Sequence, residues 1–252
     1  MIDSPSSAGR VFHGGNSLQW KHGKVLLALW LLACATPATF AASSRQAHSN
    51  WTWSAVREQL DREAKDFHSL SADMERTKVT IVVNDRSTET GDIFVRGDKM
   101  LLQFKSPDLR TILRTGDNLY IYNPGLKRVE EYNLGKNRAL VEQFLQLGFG
   151  SRGSELEHDY DVKLLPEERI DNEPVVVLSL IPKSPEVLHE ISKIEIWLAE
   201  NTWLPVQQEF FEAGSGDYSI VKYSNIVRNP NIPESRFRPN WPKGTQKVKL
   251  QP

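Results

Sequence analysis

Hydrophobic residues recur along this chain with two distinct periods. From Trp53 onward, Val56, Leu60, Ala64 and Phe67 follow at intervals of three or four, which predicts an amphipathic helix ending near His68. The period then becomes two. In Lys78–Val83, Val79, Ile81 and Val83 point one way and Lys78 and Thr80 the other, the pattern of a half-buried strand. Asn84, Asp85 and Arg86 supply turn chemistry before a second strand, Thr90–Arg96. In the next strand, Lys99–Phe104, Met100, Leu102 and Phe104 oppose Leu101 and Gln103 until Ser106-Pro107-Asp108 breaks it. Arg110–Arg114 and Leu119–Tyr122 flank the hairpin signal Thr115-Gly116-Asp117-Asn118, and Asn123-Pro124-Gly125 turns the chain into Arg128–Asn133.

Ala139–Leu147 interrupts the meander, because Leu140, Phe144 and Leu147 share one helical face. Strands resume with Tyr160–Leu165 and Pro174–Ile181. The clearest alternation follows, with Ile194, Ile196 and Leu198 against Glu195 and Trp197. Trp203–Phe211 and Tyr218–Val227 complete the series on either side of the Gly214-Ser215-Gly216-Asp217 turn. About ten strands and two helices are too many for a simple sandwich of average size; a strongly curved antiparallel sheet or incomplete barrel, with helices over its open side, fits the order of elements.

The longest apolar run, within Lys21–Ser44, lies ahead of this pattern. Its densest part, Val25–Ala35, is about half of the roughly 20 residues that a membrane span needs. Lys21 and Lys24 in front, a short Leu-rich block and small residues around Ala41 form the three parts of a secretory signal. Residues 1–42 are therefore expected to be a leader with a polar start, and residues 43–252 a single exported domain. Thr39-Phe40-Ala41 offers an ordinary cleavage site, so the chain is expected to be cut after Ala41 or Ala42. The alternative is lipidation: Leu31-Leu32-Ala33-Cys34 resembles a lipobox, and Cys34 would then carry an anchor.

Losing residues 1–42 removes Arg10, Lys21, Lys24 and Asp3, leaving 28 basic against 31 acidic residues and a charge of −3 in place of −1. That balance disfavours nucleic acid as a partner, since phosphate binding needs a basic face. Cys34 is the chain's single cysteine, so the mature part would use neither disulfides nor thiolate metal sites.

The run Ser106-Pro107-Asp108, then Thr115-Gly116-Asp117-Asn118-Leu119-Tyr120-Ile121-Tyr122-Asn123-Pro124, resembles the strand-turn-strand of LolA-type periplasmic lipoprotein carriers. The ending Phe237-Arg238-Pro239-Asn240-Trp241-Pro242-Lys243-Gly244 resembles that family's terminal Phe and Pro-x-Gly segment. The resemblance implies a mainly β fold: an unclosed antiparallel β-barrel (half-barrel) with covering α-helices around a hydrophobic cavity that receives the acyl chains of a lipoprotein. It also implies that Met100, Leu102 and Phe104 line the cavity; Ile194, Ile196 and Leu198 join them on alternation alone. Periodicity does not separate a hollow barrel from one filled by the same side chains. The family's strand-end arginine that holds the lid maps onto Arg96, although Gly97 follows where the family has proline. The partners implied are acylated lipoprotein or lipid cargo, an inner-membrane lipoprotein-releasing ABC transporter and an outer-membrane receptor, with the carrier acting as a monomer in the periplasm.

Other patterns carry less. Gly148-Phe149-Gly150-Ser151-Arg152-Gly153 spells G-x-G-x-x-G, but a helical pattern precedes it where a dinucleotide fingerprint needs a parallel strand. Four histidines, His48, His68, His158 and His189, follow the leader without ligand spacing, and His158, Asp159 and Asp161 read as a solvated charge run. No serine sits in a G-x-S-x-G elbow, and the adjacent pairs Glu130-Glu131 and Glu167-Glu168 point to opposite faces of a strand. The expectation is a lipoprotein carrier with no catalytic residue, metal or cofactor. The alternatives are an anchored receptor of the related LolB type, a carrier of another envelope lipid, a sensor on the same barrel, and an enzyme of unrecognised type.

Overall fold

The computed structural model describes residues 51–135 and 147–250. The first helix, α1 (Trp53–Lys65), starts where the Thr52 hydroxyl accepts the Ala55 N–H at 3.3 Å, and Arg62 and Lys65 complement the dipole at its end. Val56 and Leu60 are its buried face. The chain then runs through β1 (Ser69–Thr80), β2 (Asp85–Arg96), β3 (Lys99–Ser106), β4 (Arg110–Thr115), β5 (Asn118–Asn123) and β6 (Arg128–Asn133). Next come α2 (Gly153–Asp159), β7 (Tyr160–Leu164), β8 (Glu168–Ile170), β9 (Glu173–Pro182), α3 (Pro185–Glu190), β10 (Ile191–Ala199), β11 (Pro205–Glu212) and β12 (Tyr218–Arg228). A 3-10 turn, Glu234–Phe237, and β13 (Gln246–Leu250) end the described chain.

The thirteen strands among the described residues join one sheet in the order β13-β6-β5-β4-β3-β2-β1-β12-β11-β10-β9-β7, with β8 paired to β9. Its ends, β13 and β7, do not pair, so the sheet is an unclosed barrel. The two meanders are stitched together at the centre by β1 against β12. Pairing is antiparallel except between β13 and β6.

The structure corrects several element boundaries. The strand expected over Lys78–Val83 begins nine residues earlier, at Ser69, and stops at Thr80. Ile81, Val82 and Val83 form the hairpin tip and are 53%, 85% and 69% exposed, because Asn84 takes a left-handed φ of 50° and reverses the chain. Trp203 also sits in a turn, with φ 55°, and its strand starts at Pro205. The polar stretch after the glycine motif is helical: Arg152 N–H donates to the Glu155 carboxylate at 3.2 Å, starting α2. His158 and Asp159 thus lie on this helix. The glycines of the motif serve packing. A Cβ on Gly150 (φ 73°) would strike the Phe67 ring, and one on Gly153 would strike Arg57 of α1. The leader, Cys34 and all but the last residue of the helix expected over Ala139–Leu147 lie outside the described residues.

The candidate functional site is a roofed apolar face

Alternation along the strands gives the sheet one apolar face. From β1, β2, β3 and β12 it gathers Leu70, Met74, Ile93, Val95, Met100, Phe104 and Val221 into one cluster with Phe149 and Leu204. From β9 and β10 it gathers Val176, Leu178, Leu180, Ile194, Ile196 and Leu198 with Val56 and Leu60 of α1 and Leu156 of α2. Phe210 packs against both clusters, so the apolar surface is continuous across the sheet. All six residues expected to line a cavity lie on this face. Met100, Phe104, Ile194, Ile196 and Leu198 are at most 4% exposed, and Leu102 is half-buried. A small pocket between α1 and the loop around Gly148–Ser151 is lined by Leu60, Phe67, Trp203 and Leu204, while the residues of the face itself are buried.

The roof is held by polar groups. The Arg228 guanidinium, at the end of β12, bonds the Glu63 carboxylate and, at 2.7 Å, the Glu63 carbonyl of α1. Asn229 accepts from His68 N–H at 2.8 Å and donates to the Asp66 carbonyl at 2.7 Å. Between the helices, Arg57 donates to Glu157 at 2.8 Å, and the Ser154 N–H and hydroxyl both donate to Asp61. The hydrogen bond from Arg57, helped by one from Trp53, holds the Glu157 carboxyl below its ordinary range. Beneath the roof, the Tyr223 hydroxyl donates to Gln208 Oε1 at 2.7 Å, and Gln208 Nε2 donates to the Leu147 carbonyl at 2.7 Å. Burial raises the Tyr223 phenol well above its usual pKa. Sequence reading passed over Gln208, because Gln207 and Glu209 beside it make the segment look solvated.

Arg96 donates to the Ile232 carbonyl at 2.8 Å and lies 3.4 Å from Glu234, so its described partners belong to the C-terminal segment. That segment packs on the outer face: Phe237 and Ile232 cover Leu101 and Leu113, and Trp241 leans on Tyr122 at 5.0 Å. A larger groove, about 790 Å³, also lies on the outer side, between β1, β2, β11, β12 and the β8–β9 turn. Charged Asp73, Glu75, Asp92, Lys105 and Lys222 line it together with apolar Met74, Ile170, Val175, Val206 and Ile226. Among the described residues no group of three His, Cys, Asp or Glu side chains is gathered for a metal, and no helix is long and apolar enough to cross a membrane.

An unclosed sheet with one apolar face under amphipathic helices defines a class, the open-barrel proteins with a roofed hydrophobic hull. A family model described as "-like: Uncharacterized protein" matches residues 96–228. Curated relatives include an outer-membrane lipoprotein carrier protein of Cupriavidus pinatubonensis, 26% identical over 221 residues, covering 86% of this chain and 96% of the relative. A protein of the same name from Bordetella avium is 26% identical over 196 residues, covering 77% of this chain and 88% of its own. An uncharacterized conserved protein from Thermus thermophilus shares the fold, with a TM-score of 0.51 at 11% identity over 77% of this chain and 97% of that one. The chain belongs to the family of that model, and the curated relatives similar to it are named outer-membrane lipoprotein carrier proteins.

Proposed function

We propose that this protein is a periplasmic carrier that shields the acyl chains of lipoproteins beneath α1 and moves them from the inner to the outer membrane. The observation that carries the reading is the unbroken apolar face, joined through Phe210 and roofed by a helix that fully buries only Val56 and Leu60. Lifting such a helix uncovers the apolar face beneath it, which the acyl chains of the cargo then cover. Ten buried methylenes at about 0.8 kcal/mol each would return about 8 kcal/mol. The family relationship supports the same cargo, since the curated relatives bear the name of lipoprotein carriers. On this reading the protein is no enzyme, works as a monomer, and exchanges cargo with an inner-membrane transporter and an outer-membrane receptor. Residues 1–42 are its leader, removed after Ala41 or Ala42. Adding the purified protein to spheroplasts tests the proposal: acylated lipoprotein is expected to move into the soluble fraction. Lipoprotein that stays with the membrane at every carrier concentration would contradict it.

A further inference from the structure

Tyr160 opens β7 and packs within the cluster that holds Val56, Leu60 and Ile194, only 2% exposed. Its hydroxyl has no hydrogen-bond partner among the described residues. The other buried phenol of this face, Tyr223, is satisfied by Gln208, and the indole N–H groups of Trp53 and Trp197 are satisfied by Glu157 and Glu168. Burial, reinforced by the charge of Asp159, raises the Tyr160 pKa far above its ordinary value, so the group is a neutral donor at any physiological pH. Leaving such a donor unpaired costs free energy that phenylalanine would avoid at the same volume.

We infer that the Tyr160 hydroxyl is a specificity contact, donating a hydrogen bond to the ester or amide carbonyl at the head of an acyl chain lodged in the hull. This rests on the carrier reading above. The chemistry selects the ligand group. A carboxylate or phosphate in an apolar hull would need more than one neutral donor to offset its desolvation, whereas a carbonyl needs one. Pure hydrocarbon offers the hydroxyl nothing. An acyl ester or amide, apolar except for its carbonyl, matches an apolar face on which this hydroxyl is left unpaired among the described residues.

The test compares wild type with Tyr160→Phe, displacing a fluorescent apolar dye with methyl palmitate and, separately, with hexadecane. For the variant, affinity for methyl palmitate is expected to fall about tenfold while that for hexadecane stays the same. The Tm of the ligand-free variant is expected to equal or exceed that of wild type. With a carbon-13-labelled ester, the carbonyl stretch should shift to lower frequency in wild type and remain unshifted in Tyr160→Phe. Equal affinity of both proteins for the ester, an equal loss for ester and hydrocarbon, or a lowered Tm would overturn the assignment. Binding of neither probe to wild type would instead overturn the carrier reading beneath it.

Discussion

Gln208 donates its side-chain amide to the Leu147 carbonyl across 2.7 Å, fixing the last residue of the helix expected over Ala139–Leu147 to the centre of the sheet. With Tyr223 on its other end, Gln208 is paired at both its oxygen and its nitrogen while being only 2% exposed. A satisfied polar link in an apolar face sets position as well as energy, because every alternative seating strands a donor or acceptor.

Gln208→Leu therefore leaves both the Leu147 carbonyl and the Tyr223 hydroxyl unpaired and is expected to cost more than about 2 kcal/mol in urea unfolding. Tyr223→Phe removes one partner and should cost about 1 kcal/mol. The double variant should be less destabilised than the sum of the two. Strict additivity would mean that the three groups do not act as one unit.

Leu102 and Met100 share a face but differ in exposure, half-buried against 2%. Leu102→Glu is expected to fold and lose acyl binding, since its carboxylate reaches water yet stays in the path of hydrocarbon. Met100→Glu is expected to unfold. Circular dichroism with dye binding separates the two outcomes, and normal dye binding by Leu102→Glu would remove that strand from the site.

The contacts of Arg96 place its effect at the C-terminal segment. Arg96→Leu should quicken amide exchange across Ile232–Phe237 and lower stability by less than about 1 kcal/mol, as expected for an ion pair with half-exposed partners. Transfer of lipoprotein should be unchanged. A changed transfer rate with unchanged exchange would support the lid role that the family resemblance implies.

The α1–α2 pin depends on a carboxylate whose folded pKa is depressed. Its contribution is present above the unfolded value and is lost as pH falls through the folded one. Acidifying from about pH 5 toward about pH 3 should loosen α1 from α2 and speed dye entry. Glu157→Gln should enter the loosened state at neutral pH and show a flatter profile. An unaltered acid response in this variant would assign the effect to other carboxylates.

Much of this architecture was legible because the strands from β3 to β6 alternate cleanly and are separated by Pro, Gly and Asn turns. Strand β1 was less so. Asp73 and Glu75 are poor strand formers, and Ala72 is a weak apolar mark, so Leu70 and Met74 were lost beside the helical stripe ending at Phe67. Ile81-Val82-Val83 misled for the opposite reason: three β-branched residues look like a strand, yet the reversal at Asn84 leaves them at the tip. The six apolar residues of the hull stand out by alternation, Met100, Leu102 and Phe104 with the family resemblance beside it. Gln208 and Tyr160 did not, because their burial depends on register with distant segments: Gln208 lies opposite Val221, and Tyr160 opposite Pro182.

The central claim is that the apolar face opens to hold acyl chains. It is tested most directly by native mass spectrometry of the protein gently extracted from cell envelopes. The account predicts a population heavier by an acylated protein or its lipid, which Leu102→Glu lacks. A protein that emerges lipid-free, and remains so after incubation with acylated lipoprotein, would contradict it and leave the apolar face as a solid core.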